Sequence, residues 1–383
     1  MSVTAAKGFS ASGVAAGLKT NGGPDVALVV NDGPSHVAAA VFTSNRCKAN
    51  PVLWSEEAIK SGSAVAVVIN SGGANCYTGP EGFATTHHTA ETVATALGVG
   101  AIDVQVCSTG LIGLLNDRDA LLSGVHAALA ARSADGGAAA ATAIMTTDTV
   151  AKESASHGDG WTVGGMAKGA GMLAPALATM LVVVTTDADV DADMANAALR
   201  SATAQTFDRL DSDGCQSTND TVLLMASGAS GVKPDAATFT EAVTAVCRDL
   251  AMQLLADAEG ADHEIAIEVV NAASVDDALE VGRSVARSNL FKCAIFGKDP
   301  NWGRILASVG TTQAAFDPAN LDVALNNVWV CRNSGPGETP DSIDLSQRAV
   351  SVTIDLKSGS ATGTIWTNDL TQAYVHENSA YSS

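Results

Sequence analysis

Positive charge is what this chain has least of. Lys and Arg number 21 against 41 Asp and Glu, a formal net charge of −20 over 383 residues. Nucleic acids and anionic membranes are gripped by clustered cations, so neither is an expected partner. Long apolar runs are missing too. The longest aliphatic stretches, residues 64–69 and 180–184, fall far short of the ~20 residues of a bilayer span. Near the start, Lys7 and several glycines stand where a secretory leader would have an unbroken apolar core, so a cytoplasmic location is expected. Paired cysteines are also absent: Cys47, Cys76, Cys107, Cys215, Cys247, Cys293 and Cys331 lie far apart, with no Cys-x-x-Cys and no histidine at metal-ligand spacing. They read as reduced thiols packed as small hydrophobes, and no metal is expected. No G-x-G-x-x-G joins a strand to a helix, which leaves dinucleotide binding unsupported. No repeat of 20 to 50 residues is visible, which argues against a solenoid.

What remains is a globular composition, 46% hydrophobic and 16% charged, in a chain too long for one ordinary core. Short β-type segments at 26–30 and 37–42, separated by the turn Asn31-Asp32-Gly33-Pro34, predict a hairpin. Helical spacing is read around 56–60, over 83–97 and over 118–132, and strands over 64–70 and 103–107. The spacing of Phe239, Val243, Val246, Leu250 and Leu254 makes the clearest amphipathic helix. Strands are predicted at 221–226, 264–270, 323–330, 350–356 and 362–367, helices at 189–210 and 275–288, and a loop over 296–304. Strands and helices alternate without a long βαβ rhythm, so an α+β layered architecture is expected.

Several places could do chemistry. The loop Ser71-Gly72-Gly73-Ala74-Asn75 is small enough for backbone to approach a ligand, or is simply a tight turn. Residues 103–107 run as a strand into Ser108-Thr109-Gly110, where backbone N–H groups could face a developing anion. The hydroxyl-rich stretch Met145-Thr146-Thr147-Asp148-Thr149 is either a surface loop or the lining of a polar pocket. Asp211-Ser212-Asp213-Gly214 is rejected as a calcium loop, because Val222 stands where the closing glutamate belongs. The centre of interest is residues 166–187, in which an irregular segment punctuated by Gly and Pro is expected to enter a buried strand over 180–184. Thr179 sits at the seam. From the residues alone it is a β-former opening a strand, in a place where a hydroxyl could press on its own preceding carbonyl.

Taken together, an ordered set of segments resembles the glutamate N-acetyltransferase and ornithine acetyltransferase family of arginine biosynthesis. The set is SGGAN from Ser71, CSTGLIG from Cys107, MTTDT from Met145, AKGAGM from Ala167, LATML from Leu177, STNDT from Ser217, EGA from Glu259, DPNWGR from Asp299, and the end from Glu377. The resemblance extends over nearly the whole chain. It implies an α/β/β/α-type sandwich similar to self-processing amidases over 1–272, followed by a smaller C-terminal α/β domain over 273–383. It also implies that Thr179 is the nucleophile, that the precursor cuts itself between Ala178 and Thr179, and that the acetyl group travels through an acetyl-Thr179 by a ping-pong route. Thr109 and Gly110 are implied in stabilising the oxyanion. Thr146 or Thr147, Lys168, Glu259, Asn378 and Ser383 are implied in binding N-acetylornithine and glutamate. No cofactor is implied, although acetyl-CoA is left open as a co-substrate. The two cleaved chains are expected to stay together, as a heterotetramer of two each. A self-processing amidase or aminopeptidase using the same threonine is the alternative. The chain departs from the family at Asp262-His263, at Cys76-Tyr77 and at Leu114, and the first of these was expected to weaken substrate affinity.

Overall fold

Two sheets are stacked face to face in a computed structural model, which describes residues 2–173 and 180–380. The first contains β1 (Phe9–Val14), β2 (Val26–Asn31), β4 (Ala66–Asn70) and β5 (Val104–Ser108), in that order across the sheet. The second runs β3 (Val37–Phe42), β9 (Thr221–Ala226), β8 (Leu181–Thr186), β7 (Thr162–Lys168) and β6 (Lys152–His157). Alternation along the strands decides what each face meets. Ala27, Val29, Val67 and Ile69 of the first sheet meet Met166, Leu181, Val183, Leu223 and Met225 of the second. The opposite residues, Leu28, Val68 and Val106, lie under α2 (Gly79–Leu97) and α3 (Arg118–Ala131). On the far side Val182, Val184, Val222 and Leu224 lie under α5 (Ala192–Gln205) and α6 (Ala236–Ala256). The result is four layers, helix, sheet, sheet and helix. Strands buried on both faces explain why β2, β4, β8 and β9 are continuous apolar runs.

Two short helices complete this unit, α1 (Asn50–Ala58) beside β5 and α4 (Gly137–Ala143) beside β1. The third sheet has the order β13 (Gly335–Pro336), β12 (Val328–Arg332), β11 (Asp322–Leu325), β14 (Ala349–Asp355), β10 (Glu264–Ala272) and β15 (Ala361–Asn368). Its core joins Ile265, Ile267 and Val269 to α7 (Val275–Ala286), α8 (Asn289–Phe296) and α9 (Trp302–Val309). A last helix, α10 (Gln372–Ala380), leads back toward Glu259, where Asn378 meets its carboxylate.

Five sequence expectations change. The segments at 26–30 and 37–42 are no hairpin: β2 pairs with β1 and β4, whereas β3 pairs with β9 in the other sheet. Residues 162–168 are a regular strand despite their glycines. A Cβ on Gly164 would stand 2.3 Å from the Ser2 carbonyl oxygen, so glycine there admits a neighbouring backbone rather than breaking the strand. Residues 323–330 form two strands, turning at Asn326 and Asn327, both with positive φ. The predicted loop over 296–304 contains the last residue of α8 and the start of α9. Finally, Glu264–Ala272 was assigned to the first unit, but it pairs in parallel with β14 of the third sheet.

Candidate active site

The ends of β5, β7 and β9 and the loops that follow or precede them enclose a cavity of about 520 Å³. Thr109, Gly110, Thr146, Thr147, Lys168, Glu259 and Asn378, seven of the residues singled out from the sequence, all line it. Thr179, Ala178 and Ser383 lie outside the described residues. The chain leaves the described structure just past Met172, in the cavity wall, and re-enters it at Met180.

Lys168 ends β7 and is buried, and its Nζ donates to Thr109 Oγ1 at 3.2 Å. Burial pulls its pKa down, partly opposed by the Asp148 carboxylate. Because the Thr109 oxygen accepts from Lys168, its own hydrogen is left to point elsewhere. The Thr109 backbone N–H cannot face an anion, since it already donates to the Asn70 carbonyl at 2.9 Å. The Gly110 N–H, by contrast, has no hydrogen-bond partner among the described residues. Gly110 has a φ of +124°, and an added Cβ would lie 2.9 Å from the Gly73 nitrogen, so only glycine fits. The available donors are therefore one side-chain hydroxyl and one backbone N–H, rather than the two consecutive N–H groups suggested by the strand-to-glycine turn.

Charge balance behind the site was not foreseen. Asp148 Oδ1 accepts from Lys152 Nζ and from the Gly169 N–H, both at 2.7 Å, and Lys152 also reaches Asp257 at 2.6 Å. Burial alone would raise the Asp148 pKa, but Lys168 and Lys152 together hold it down to about 2. The stretch at 145–149 is thus part pocket lining, through Thr146 and Thr147, and part buried anchor, through Asp148. On the opposite wall Asn378 Nδ2 donates to Glu259 Oε2 at 3.1 Å, and the Glu259 carboxylate lies so close to Gly171 that a Cβ there would be 2.6 Å from it. Tyr374 of α10 and Asp213 also line this end. Burial, followed by the Asp213 and Glu259 charges, pushes the Tyr374 phenol up to about 12.

Asn219 was missed as a single residue, although its motif was noted. Its Nδ2 donates to the Ala74 carbonyl at 2.7 Å and the Ser108 carbonyl at 2.8 Å, which binds three motif loops together. Asn219→Ala strands two buried carbonyls. We expect a loss of about 2–4 kcal/mol in urea unfolding, with a fall in activity as the Thr109 loop loosens. His263, in contrast, does not line the cavity. It lies between Asp369, with Nδ1 to Oδ2 at 2.7 Å, and the Leu345 carbonyl, with Nε2 to O at 3.0 Å. Asp262 and Tyr77 do not line the cavity either, whereas Leu114 does.

The sequence profile of the ArgJ family matches residues 10–383. The chain belongs to the ArgJ family. A relative in Streptomyces coelicolor named "arginine biosynthesis bifunctional protein ArgJ" is 63% identical over 383 residues, covering 100% of both chains. An ArgJ of the same name in Mycobacterium leprae is 54% identical, covering 100% of this chain and 96% of its own. Among solved structures, an ornithine acetyltransferase from Mycobacterium tuberculosis complexed with ornithine is 54% identical and covers 47% of this chain and 96% of its own, with a TM-score of 0.45. Within the ArgJ family, then, this chain keeps the four-layer architecture that its motifs implied, and it brings those motifs to one cavity.

Proposed function

We propose that this ArgJ-family chain transfers the acetyl group of N-acetylornithine to glutamate in arginine biosynthesis, through an acetyl ester on Thr179, after cutting itself between Ala178 and Thr179. The observation that supports this best is the convergence on one cavity of the Thr109 hydroxyl, the Gly110 N–H, the Lys168 ammonium and the Glu259 carboxylate, at the point where the stretch bearing Thr179 departs. A free α-amine on Thr179, with an ordinary pKa of about 7.7–8.0, is a base for its own hydroxyl near neutral pH. The nearby Lys168 charge favours the neutral form of that amine. Each half-reaction passes through a tetrahedral oxyanion, for which Thr109 Oγ1–H and Gly110 N–H are the donors. An amino-acid substrate carries an ammonium and a carboxylate, matched by Glu259 on one wall and by Lys168 with Thr146 or Thr147 on another. Asn378 orients Glu259, and Ser383, at the end of the chain, completes the binding set.

The word bifunctional in the relatives' name supports a second activity, acetylation of glutamate from acetyl-CoA as co-substrate, with no bound cofactor. The two cleaved chains, 1–178 and 179–383, stay associated because β8 is the middle strand of a five-stranded sheet, and two copies of each make a heterotetramer. No described helix is long and apolar enough to cross a membrane, and the enzyme works in the cytoplasm. Purified protein incubated with N-acetylornithine and glutamate should yield ornithine and N-acetylglutamate. Free acetate without acetylglutamate would favour a self-processing amidase instead, with water as the acceptor. Replacing acetylornithine by acetyl-CoA tests the second donor in the same assay.

A further inference from the structure

The proposed chemistry leaves one buried carboxyl beside the seam unused. Asp220 closes the STNDT motif immediately before β9 and is fully buried. Its Oδ1 accepts the Met180 N–H at 3.0 Å, and the Met180 nitrogen is bonded to the carbonyl carbon of Thr179. The position is rigid, because the Thr221 N–H in turn donates to the Met180 carbonyl at 3.2 Å, and Leu181 and Thr221 are the first pair of the parallel β8–β9 ladder. Its second oxygen, Oδ2, is buried and has no hydrogen bond among the described residues. A carboxylate oxygen in that condition is costly, whereas a protonated one aimed at a partner outside the described residues is not.

We propose that Asp220 is the positioning residue of self-cleavage, with Oδ1 fixing the peptide that follows Thr179 and Oδ2–H supplying the proton that the departing nitrogen needs. This rests on the reading that the chain cuts itself at Ala178-Thr179. In the step, the Thr179 hydroxyl oxygen bonds to the Ala178 carbonyl carbon and the C–N bond between the two residues breaks. The nitrogen takes the proton from Oδ2, and the carboxylate so formed takes the proton that the hydroxyl loses. An ester and a neutral amine result, Asp220 ends as it began, and water then hydrolyses the ester. Burial holds the carboxyl toward its neutral form, well above the usual carboxylate range. The groups that face it are Lys168 from β7, whose charge opposes this shift, the Thr43 and Ser217 hydroxyls, and the Cys215 thiol, which feels the charge of Asp220 when ionised.

The test follows cleavage by intact mass after synthesis of the full chain. Asp220→Asn keeps an oxygen to accept the Met180 N–H but has no acidic proton. Cleavage should slow at least about 10²-fold, with a melting temperature near that of wild type. Asp220→Glu, which restores the acid, should recover part of the rate. Asn and Glu variants that cleave equally slowly, or an Asn variant that cleaves at the wild-type rate, would overturn the proposal. Because the Asn variant could fail to fold, a second measurement uses the Thr179→Ser precursor across pH. The neutral acid exists below its raised pKa and is lost above it, so the cleavage rate should fall as pH rises past that point. A rate that climbs with pH throughout contradicts the role. Failure of wild-type chain to cleave at all would instead refute the underlying function.

Discussion

Thr179→Ala should leave the chain as a single species of 38.5 kDa that transfers no acetyl group. Two separate losses are expected from one methyl-for-hydroxyl change. Without the hydroxyl, nothing attacks the Ala178 carbonyl, so no cleavage occurs. Without cleavage, no α-amine forms to act as base, and without Oγ no acetyl ester can form. Loss of a nucleophile typically costs about 10⁴- to 10⁶-fold in kcat, so residual transfer should be beneath detection. Thr179→Ser keeps the oxygen and should retain part of both reactions. Intact mass on denatured protein reads the first loss, and N-acetylglutamate formation reads the second. An alanine variant that transfers acetyl at the wild-type rate would remove Thr179 from the mechanism.

Lys168→Met should give the next largest effect. Methionine fills the same buried space at the end of β7, and Asp148 keeps its partner Lys152, so the fold should tolerate the change. The variant loses the cation 3.2 Å from Thr109 Oγ1. That cation orients the hydroxyl toward the oxyanion and adds positive potential in a site shielded from water. We expect kcat to fall about 10²- to 10³-fold, the range seen when one oxyanion donor is removed. The loss in KM should be smaller, since Thr146, Thr147, Glu259 and Asn378 still line the cavity. Steady-state kinetics on cleaved protein check the split. An unchanged kcat would mean that Lys168 only fills space.

Which parts of this molecule were legible in its sequence follows from how local their causes are. β9 was read to the residue, because the polar run before it and Ser227-Gly228 after it bound six apolar residues. α6 was read from its apolar stripe, which faces the second sheet as the spacing required. The supposed hairpin at 26–42 failed for a non-local reason. Asn31 Nδ2 donates to the Ser35 and Ala226 carbonyls, and so fastens the turn to the end of β9 in the other sheet. Local turn chemistry was right, but the partner strand lay nearly two hundred residues on. The glycines of β7 failed for a similar reason: what they admit, the backbone at Ser2, is remote in sequence.

The site behaves in the same way. Thr109, Lys168 and Glu259 are 59 and 91 positions apart in turn, and nothing in their local patterns brings them together. Family resemblance singled them out, and folding assembled them at the ends of adjacent strands. Asn219, Asp148 and Asp220 were quoted only as letters in motifs, because their roles depend on partners such as Ala74, Lys152 and Met180. A buried polar residue flanking a strand, within a motif, was the one signal available for them.

The most direct test of the central claim is to look for the acetyl group on Thr179 itself. Cleaved protein is incubated with N-acetylornithine alone, quenched in acid, and its C-terminal chain analysed by peptide mass spectrometry. The account predicts that the peptide beginning at Thr179 gains one acetyl group on its hydroxyl, that free ornithine appears in equal amount, and that adding glutamate removes the label as N-acetylglutamate. Transfer to glutamate that proceeds with Thr179 never acetylated, or with the acetyl group on another residue, would contradict it.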